Sequence, residues 1–307
     1  MARPALNAWV IFAILGTLLT PMADGAAKAH HHHKKTAQKP SATPSASPSP
    51  APTPVRALAP GELPLAAQGA FLIDALTGKT LYEKEPDHTL YPASTTKILT
   101  ALLIIEAGDL DKIVIIEPED TNVEESALEM KAGEKYTRLQ LLYGLLLKSA
   151  NDAALALARD NAGSIPAFAD KMNVRAHELG ASSSNFANPH GLPDKNHFTT
   201  PRDLALIARA AMEQPMFRKI VSTIDYPLAT PEGPVPLRNH NKLLTEYPGC
   251  NGVKTGYTVP AQQVLVAAAL RDGREVISVV MHTDHPGIWD DSKTLLDYGF
   301  SHLSTFP

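Results

Sequence analysis

The stretch Tyr91-Pro92-Ala93-Ser94-Thr95-Thr96-Lys97 runs directly into an apolar segment, residues 98–105. A proline cannot sit inside a helix but stiffens the entry to one. Residues 96–106, rich in Leu, Ile and Ala, predict a buried helix. Ser94 then falls in its first turn, with Lys97 three positions on and on the same face. A hydroxyl and an amine are held side by side where free backbone N–H groups favour negative charge. That is the arrangement of a serine nucleophile with a lysine base. The plainer reading is that Ser94 only caps the helix, and Ser-x-x-Lys is short enough to arise by chance.

Outward from this stretch the chain alternates strand and helix signals. Residues 70–74 and 80–82 predict two strands around a turn at Thr77-Gly78-Lys79. Residues 113–116 predict a short strand, and the Glu-rich segment 117–134 reads as a solvated face. Residues 137–148 predict a helix apolar all round, hence interior. It stops at Ser149-Ala150-Asn151, and a second helix follows over 152–160. Ser149 and Asn151 thus lie at a helix junction, where either also reads as a cap. Helices are expected over 165–179, closed by Gly180, and over 202–212 behind Pro201. A hairpin is expected within the Pro-rich residues 226–241, strands over 264–270 and 275–281, and a closing helix over 289–300. Strands at both ends with helices between predict an α+β fold. Its antiparallel sheet is built from both chain ends and flanked by a helical cluster.

A third cluster, Lys254-Thr255-Gly256-Tyr257, lies just before the last two strands. Gly256 lets a ligand approach a strand closely. Lys254 offers fixed positive charge and Thr255 a hydroxyl for a carboxylate. Each cluster alone is a weak signal. Ser-x-x-Lys, Ser-x-Asn and Lys-Thr-Gly in that order form the motif set of β-lactamases and penicillin-binding proteins.

On these motifs the chain resembles the low-molecular-mass penicillin-binding proteins, the serine-type D-Ala-D-Ala carboxypeptidase family. Pro189-His190-Gly191-Leu192, Pro201-Arg202-Asp203-Leu204-Ala205 and Gly252-Val253 extend the match, which spans residues 65–300. The resemblance implies a transpeptidase/β-lactamase-like fold and catalytic Ser94, Lys97, Ser149 and Asn151. It implies substrate binding by Lys254, Thr255, Gly256 and Tyr257, with an oxyanion hole from the Ser94 and Tyr257 N–H groups. The implied substrates are peptidoglycan stem peptides, cut through an acyl-enzyme, and β-lactams are implied inhibitors. Alternatives are a D,D-endopeptidase acting on cross-links, a β-lactamase, or a non-catalytic β-lactam sensor. A β-lactamase of one class needs a further Glu after Ser-x-Asn, and Glu178 is the nearest candidate. The chain departs from the family pattern at Ala261-Gln262-Gln263 and carries no C-terminal β-domain, a layout similar to family members that act as endopeptidases.

Composition narrows the classes further. The 307 residues, 44% apolar and 20% charged, are those of a globular protein. A formal net charge of -4 without a long basic block argues against a nucleic-acid partner. Cys250 is the only cysteine, so no internal disulfide forms. His190, His197, His282 and His285 are scattered without ligand spacing, so no metal and no cofactor are expected. Residues 1–29 read as an export signal with an apolar core over 8–19, placing the protein in the periplasm or cell envelope. Residues 30–64 read as a disordered His/Pro/Ser-rich tether, and 65–307 as the catalytic domain. The oligomeric state is not legible.

Overall fold

A computed structural model describes residues 61–123 and 125–303. The expected signal segment and most of the tether lie outside the described residues. The last tether residues do not: Leu63 donates its N–H to Tyr82 Oη (3.3 Å) and packs on the core, so the fold starts slightly earlier than expected.

The architecture follows from strands that are apolar on both faces. β1 (Gly69–Asp74) sits between β2 (Thr80–Lys84) and β9 (Arg274–Thr283). β8 (Gln262–Arg271) and the outer strand β7 (Cys250–Thr258) complete a five-stranded antiparallel sheet, ordered β2-β1-β9-β8-β7. Alternate side chains point to opposite faces of a strand. Phe71, Ile73, Val264, Val266, Ile277 and Val279 accordingly enter one core, and Leu72, Leu265, Ala267, Val276 and Val280 the other. The second core is closed by α8 (His285–His302), through Ile288, Leu295 and Leu296. The sheet from both chain ends, expected from sequence, is therefore present.

The larger core holds the helices. α1 (Lys97–Ala107) is buried almost all round. It is surrounded by α3 (Asn151–Ala162), α4 (Ile165–Glu178), α5 (Pro201–Glu213) and α6 (Pro215–Val221). α2 (Arg138–Tyr143) runs straight into a π-helical turn, Gly144–Lys148. Two small hairpins flank the helices: β3 (Ile113–Ile115) with β4 (Lys135–Thr137), and β5 (Asp225–Thr230) with β6 (Gly233–Arg238). A single turn, α7 (Leu243–Glu246), precedes β7. The segment after β3 is not wholly a solvated face. Asp120 is buried and pairs with Arg159 of α3 at 2.6 Å, so one of its acids anchors the excursion. α6 had no counterpart in the sequence reading.

Candidate active site

Ser94 lies in a 3-10 turn, Ala93–Thr96, that leads into α1. Ala93 is fully buried at φ +48°, a left-handed conformation unusual for a residue with a side chain. The turn is held by Thr95, whose hydroxyl donates to the Pro92 carbonyl at 2.6 Å. Strain persists only where surroundings over-determine it, and here it points Ser94 off the end of α1.

Lys97 opens α1 and is completely buried. Its Nζ lies 3.0 Å from Ser94 Oγ, 2.7 Å from Asn151 Oδ1 and 2.7 Å from the His190 carbonyl oxygen. Burial, and then the charge of Lys254, hold the amine well below its ordinary value. An uncharged amine has two N–H groups and one lone pair. The amide oxygen and the carbonyl can only accept, so they take the two N–H groups. The lone pair is left facing the Ser94 hydroxyl, which is the geometry a general base requires.

The junction between the π-helical turn and α3 supplies the second cluster. Ser149 ends the turn at φ +65°. Neither Ser149 nor Asn151 caps α3: Ala150 occupies the cap position and no side chain bonds there. The cap reading is thereby replaced. Asn151 turns its Oδ1 to Lys97, and Ser149 Oγ is buried without a hydrogen-bond partner among the described residues. The Asn151 amide also donates to the Glu125 carbonyl (3.4 Å), which fixes its orientation. Asp152 accepts from the N–H groups of Leu128 (2.9 Å) and Ala153 (2.8 Å) and ties the segment after Glu125 to the junction.

The third cluster lies on β7. Thr255 and Gly256 face the nucleophile turn. A Cβ on Gly256 would stand 2.9 Å from Ser94 N and 3.1 Å from Ala93 Cβ, so only glycine lets the strand pass this close. β7 is the outer strand, and alternate N–H and C=O groups on its free side remain available to a ligand. Lys254 is buried, with its Nζ donating to the Thr255 carbonyl at 2.9 Å. Burial pushes its amine down to about 7. The fixed charge expected from sequence is therefore not fixed: Lys254 titrates near neutrality. Tyr257 is half exposed beside it.

The three clusters share one cleft of about 200 Å³, lined by Ser94, Ser149, Thr255, Gly256 and Tyr257 together with Glu125, Ser126, His240 and Gln263. All eight residues expected from sequence meet here: Ser94, Ser149, Thr255, Gly256 and Tyr257 on its wall, Lys97, Asn151 and Lys254 behind it.

The geometry agrees with a comparison of sequences, in which the profile of the D-alanyl-D-alanine carboxypeptidase family, peptidase S11, matches residues 56–285. The chain belongs to this family. It is similar to D-alanyl-D-alanine carboxypeptidase DacF of Bacillus subtilis, 36% identical over 253 residues, which are 80% of this chain and 65% of that protein. The chain thus spans just under two thirds of that relative. It is 37% identical over 250 residues to D-alanyl-D-alanine carboxypeptidase DacB2 of Mycobacterium tuberculosis, covering 78% of this chain and 86% of the relative. Among solved structures, the Streptomyces K15 DD-transpeptidase superposes with a TM-score of 0.75 at 35% identity, covering 78% of this chain and 99% of that one. The α+β arrangement is thus the penicillin-binding one.

Three contributors to the family site carried no side-chain signal in the sequence. The His190 carbonyl, not its ring, receives Lys97. His197 accepts from the Ala187 N–H through Nδ1 (3.0 Å), which places its proton on Nε2 and directs it at Thr96 Oγ1, 2.8 Å away. Burial keeps His190 at about 3 and His197 at about 4, so both rings stay neutral. Gly191 has φ +93°, and a Cβ there would stand 1.8 Å from the Ala93 carbonyl oxygen. This loop is therefore seated directly against the nucleophile turn. Glu178 is on the exposed side of α4, paired with Arg175 at 3.0 Å, and does not line the cleft. No group of three or more His, Cys, Asp or Glu fit to hold a metal occurs among the described residues.

Proposed function

We propose that this family member is a D-Ala-D-Ala carboxypeptidase acting on peptidoglycan stem peptides, with Ser94 as nucleophile and Lys97 as base. The observation that carries the reading is the Lys97 amine, 3.0 Å from Ser94 Oγ and otherwise surrounded by acceptors.

The terminal carboxylate of the peptide is received by Thr255 and by Lys254 in its charged form. Ser94 Oγ attacks the carbonyl carbon of the penultimate D-Ala while its proton passes to Lys97 Nζ. Charge develops on the carbonyl oxygen beside the Ser94 and Tyr257 N–H groups, and one such donor is typically worth about 3 kcal/mol. Collapse breaks the peptide bond. The proton returns from Lys97 through Ser149 Oγ to the departing amine, and its lack of a partner leaves that hydroxyl free to swing between the two. Water, deprotonated by Lys97, then attacks the ester and frees Ser94. Asn151 keeps the amine aimed throughout.

A β-lactam presents a strained amide carbonyl beside a carboxylate, so the same groups acylate Ser94 with it. Peptidoglycan lies outside the cytoplasmic membrane. The apolar segment within residues 1–29 supports export there, to the periplasm or cell envelope.

The test is release of D-Ala, followed by mass, from a synthetic acyl-D-Ala-D-Ala peptide. The native protein is expected to release it and the Ser94→Ala variant not. A native protein that takes up fluorescent penicillin yet frees no D-Ala would favour the sensor instead.

A further inference from the structure

Glu125 carries the one carboxylate among the described residues that line the catalytic cleft. Its neighbours on the wall include Ser126 and Ser149. It has no ion pair and no side-chain hydrogen bond among the described residues, and the mechanism above gives it no part. The Glu-rich segment that contains it reads from sequence as a solvated face, yet this one acid is turned into the site.

The backbone that presents it is fixed. Glu125 and Ser126 stand at φ +57° and +29°, a left-handed pair without glycine. Such strain persists only where the surroundings hold it. Asn151 supplies much of that hold. Its side-chain amide donates to the Glu125 carbonyl at 3.4 Å and its backbone N–H to the Ser126 carbonyl at 2.7 Å. Leu128 N–H then bonds Asp152 at 2.9 Å. Glu125 is thereby seated against the residue whose Oδ1 aims Lys97.

The cleft is electrically polar. Its Thr255 side is backed by Lys254 and shares His240, Thr255 and Gln263 with a neighbouring cavity of about 550 Å³. The charged groups lining that cavity are Lys148, Arg238 and Lys242, with no acid among the described residues there. Glu125 and Ser126 line the catalytic cleft and not the neighbouring cavity. One side of the site is therefore cationic, and a single anionic group stands away from it.

The inference rests on the function proposed above. With the terminal carboxylate at Thr255 and the scissile carbonyl at Ser94, the acyl part of the peptide leaves Ser94 in the direction away from Thr255. Glu125 is the charged group it meets. A carboxylate there attracts an ammonium and repels a second carboxylate, and a partly enclosed cleft screens this less than open water does.

We propose that Glu125 is a specificity-determining residue that receives a primary ammonium on the side chain preceding the two D-alanines. Stem peptides are joined to one another through such an amine. A peptide whose amine is still free is therefore preferred over one whose amine is already acylated. Glu125 takes no proton in the reaction; it selects which acyl chain lies over Ser94.

The test compares two tripeptides on the full chain, Nα-acetyl-Lys-D-Ala-D-Ala and its Nα,Nε-diacetyl form. The quantity read is the ratio of their kcat/KM values, which does not depend on the fraction of active enzyme. The native protein is expected to prefer the free amine by about threefold to fivefold, the upper range for a solvent-accessible ion pair. Glu125→Gln should abolish the preference and Glu125→Lys should reverse it. A merely structural role would lower both rates together and leave the ratio unchanged, which overturns the proposal, as does a native protein without preference. If neither variant folds, the native ratio is followed against salt. It should shrink toward one by about 0.5 M, and a ratio insensitive to salt refutes the ion pair.

If the native protein is acylated by penicillin but cuts neither tripeptide, the carboxypeptidase reading fails by itself. Glu125 is then judged by benzylpenicillin, its α-amino derivative ampicillin and its α-carboxy derivative carbenicillin. Relative to benzylpenicillin, Glu125→Gln should slow acylation by the amino compound and speed it by the carboxy compound. The same change for all three would refute a charge-selecting role.

Discussion

Lys97 Nζ lies 3.0 Å from Ser94 Oγ, and its other two neighbours are oxygens that can only accept. The contact has a direction: the lysine lone pair receives the serine proton. Replacing Lys97 by Ala should leave a folded protein whose acylation by fluorescent penicillin is slower by about 10²–10⁴-fold, the usual contribution of a positioned base. Stopped-flow or gel-based labelling measures it, and an unchanged rate would remove Lys97 from the mechanism. Ser94→Ala should not label at all.

Burial of that amine also shapes stability. Its pKa in the folded state lies well below the 10.5 it has when unfolded. Between those two values the unfolded chain binds the extra proton, so stability rises with pH. Lys97→Met abolishes this term. In urea titrations the native protein should gain stability relative to the Met variant as pH rises toward 10.5, and the gain should end above it, where both states are neutral. A difference that does not change with pH would contradict an uncharged Lys97.

Lys254 titrates at about 7 and must be charged to attract a carboxylate. In the free enzyme that charge is lost as pH rises through about 7, so kcat/KM for an anionic peptide should decline on the alkaline side. An acid limb should appear where Lys97 becomes protonated. Lys254→Arg keeps its charge at all working pH values. It should flatten the alkaline limb, even if the altered side chain lowers the maximum. A pH–rate profile of both proteins decides, and an alkaline limb retained in the Arg variant assigns it to another group.

Gly191 has no space for a methyl group and a φ of +93°. Gly191→Ala should destabilise the fold by about 3 kcal/mol or more, combining left-handed strain with overpacking. Because the His190 carbonyl moves with it, acylation should fall as well. Chemical denaturation and penicillin labelling of the same sample test both effects, and an unperturbed variant would mean the loop is free of the nucleophile turn.

Much of this site was legible in the sequence because its side chains fall in three short motifs whose order is distinctive. Ser94 and Lys97 share a face by helical spacing alone, and β1, β8 and β9 are apolar runs that announce themselves. The rest depends on tertiary context. α6, with seven residues, is too short to show a period. Ser149 adopts φ +65° with no glycine to signal it. The His190 contribution is a backbone carbonyl, which no side-chain pattern reports. Asp120 reads as a surface acid until Arg159, 39 positions away, closes on it. Lys254 reads as a cation because nothing local reveals that β7 buries it.

The Cys250 thiol is pushed up to about 11 by burial, and it does not line the cleft. Iodoacetamide should react slowly at pH 7 and faster as pH rises, and Cys250→Ala should acylate within about twofold of the native rate. A large loss on substitution would place the thiol closer to the chemistry than its position at the start of β7 indicates.

The order of the central sheet has a consequence for how the protein comes into being. β1, near the start of the described chain, has β9 as its inner neighbour, and the strand that faces Ser94 is separated from it by more than 150 positions. A polypeptide emerging from the ribosome displays its serine long before it can make Lys254 or a partner for β1. Pairings of such long range close late. The Ser94 turn therefore meets Thr255 and Gly256 only once the last strands of the sheet have joined the first.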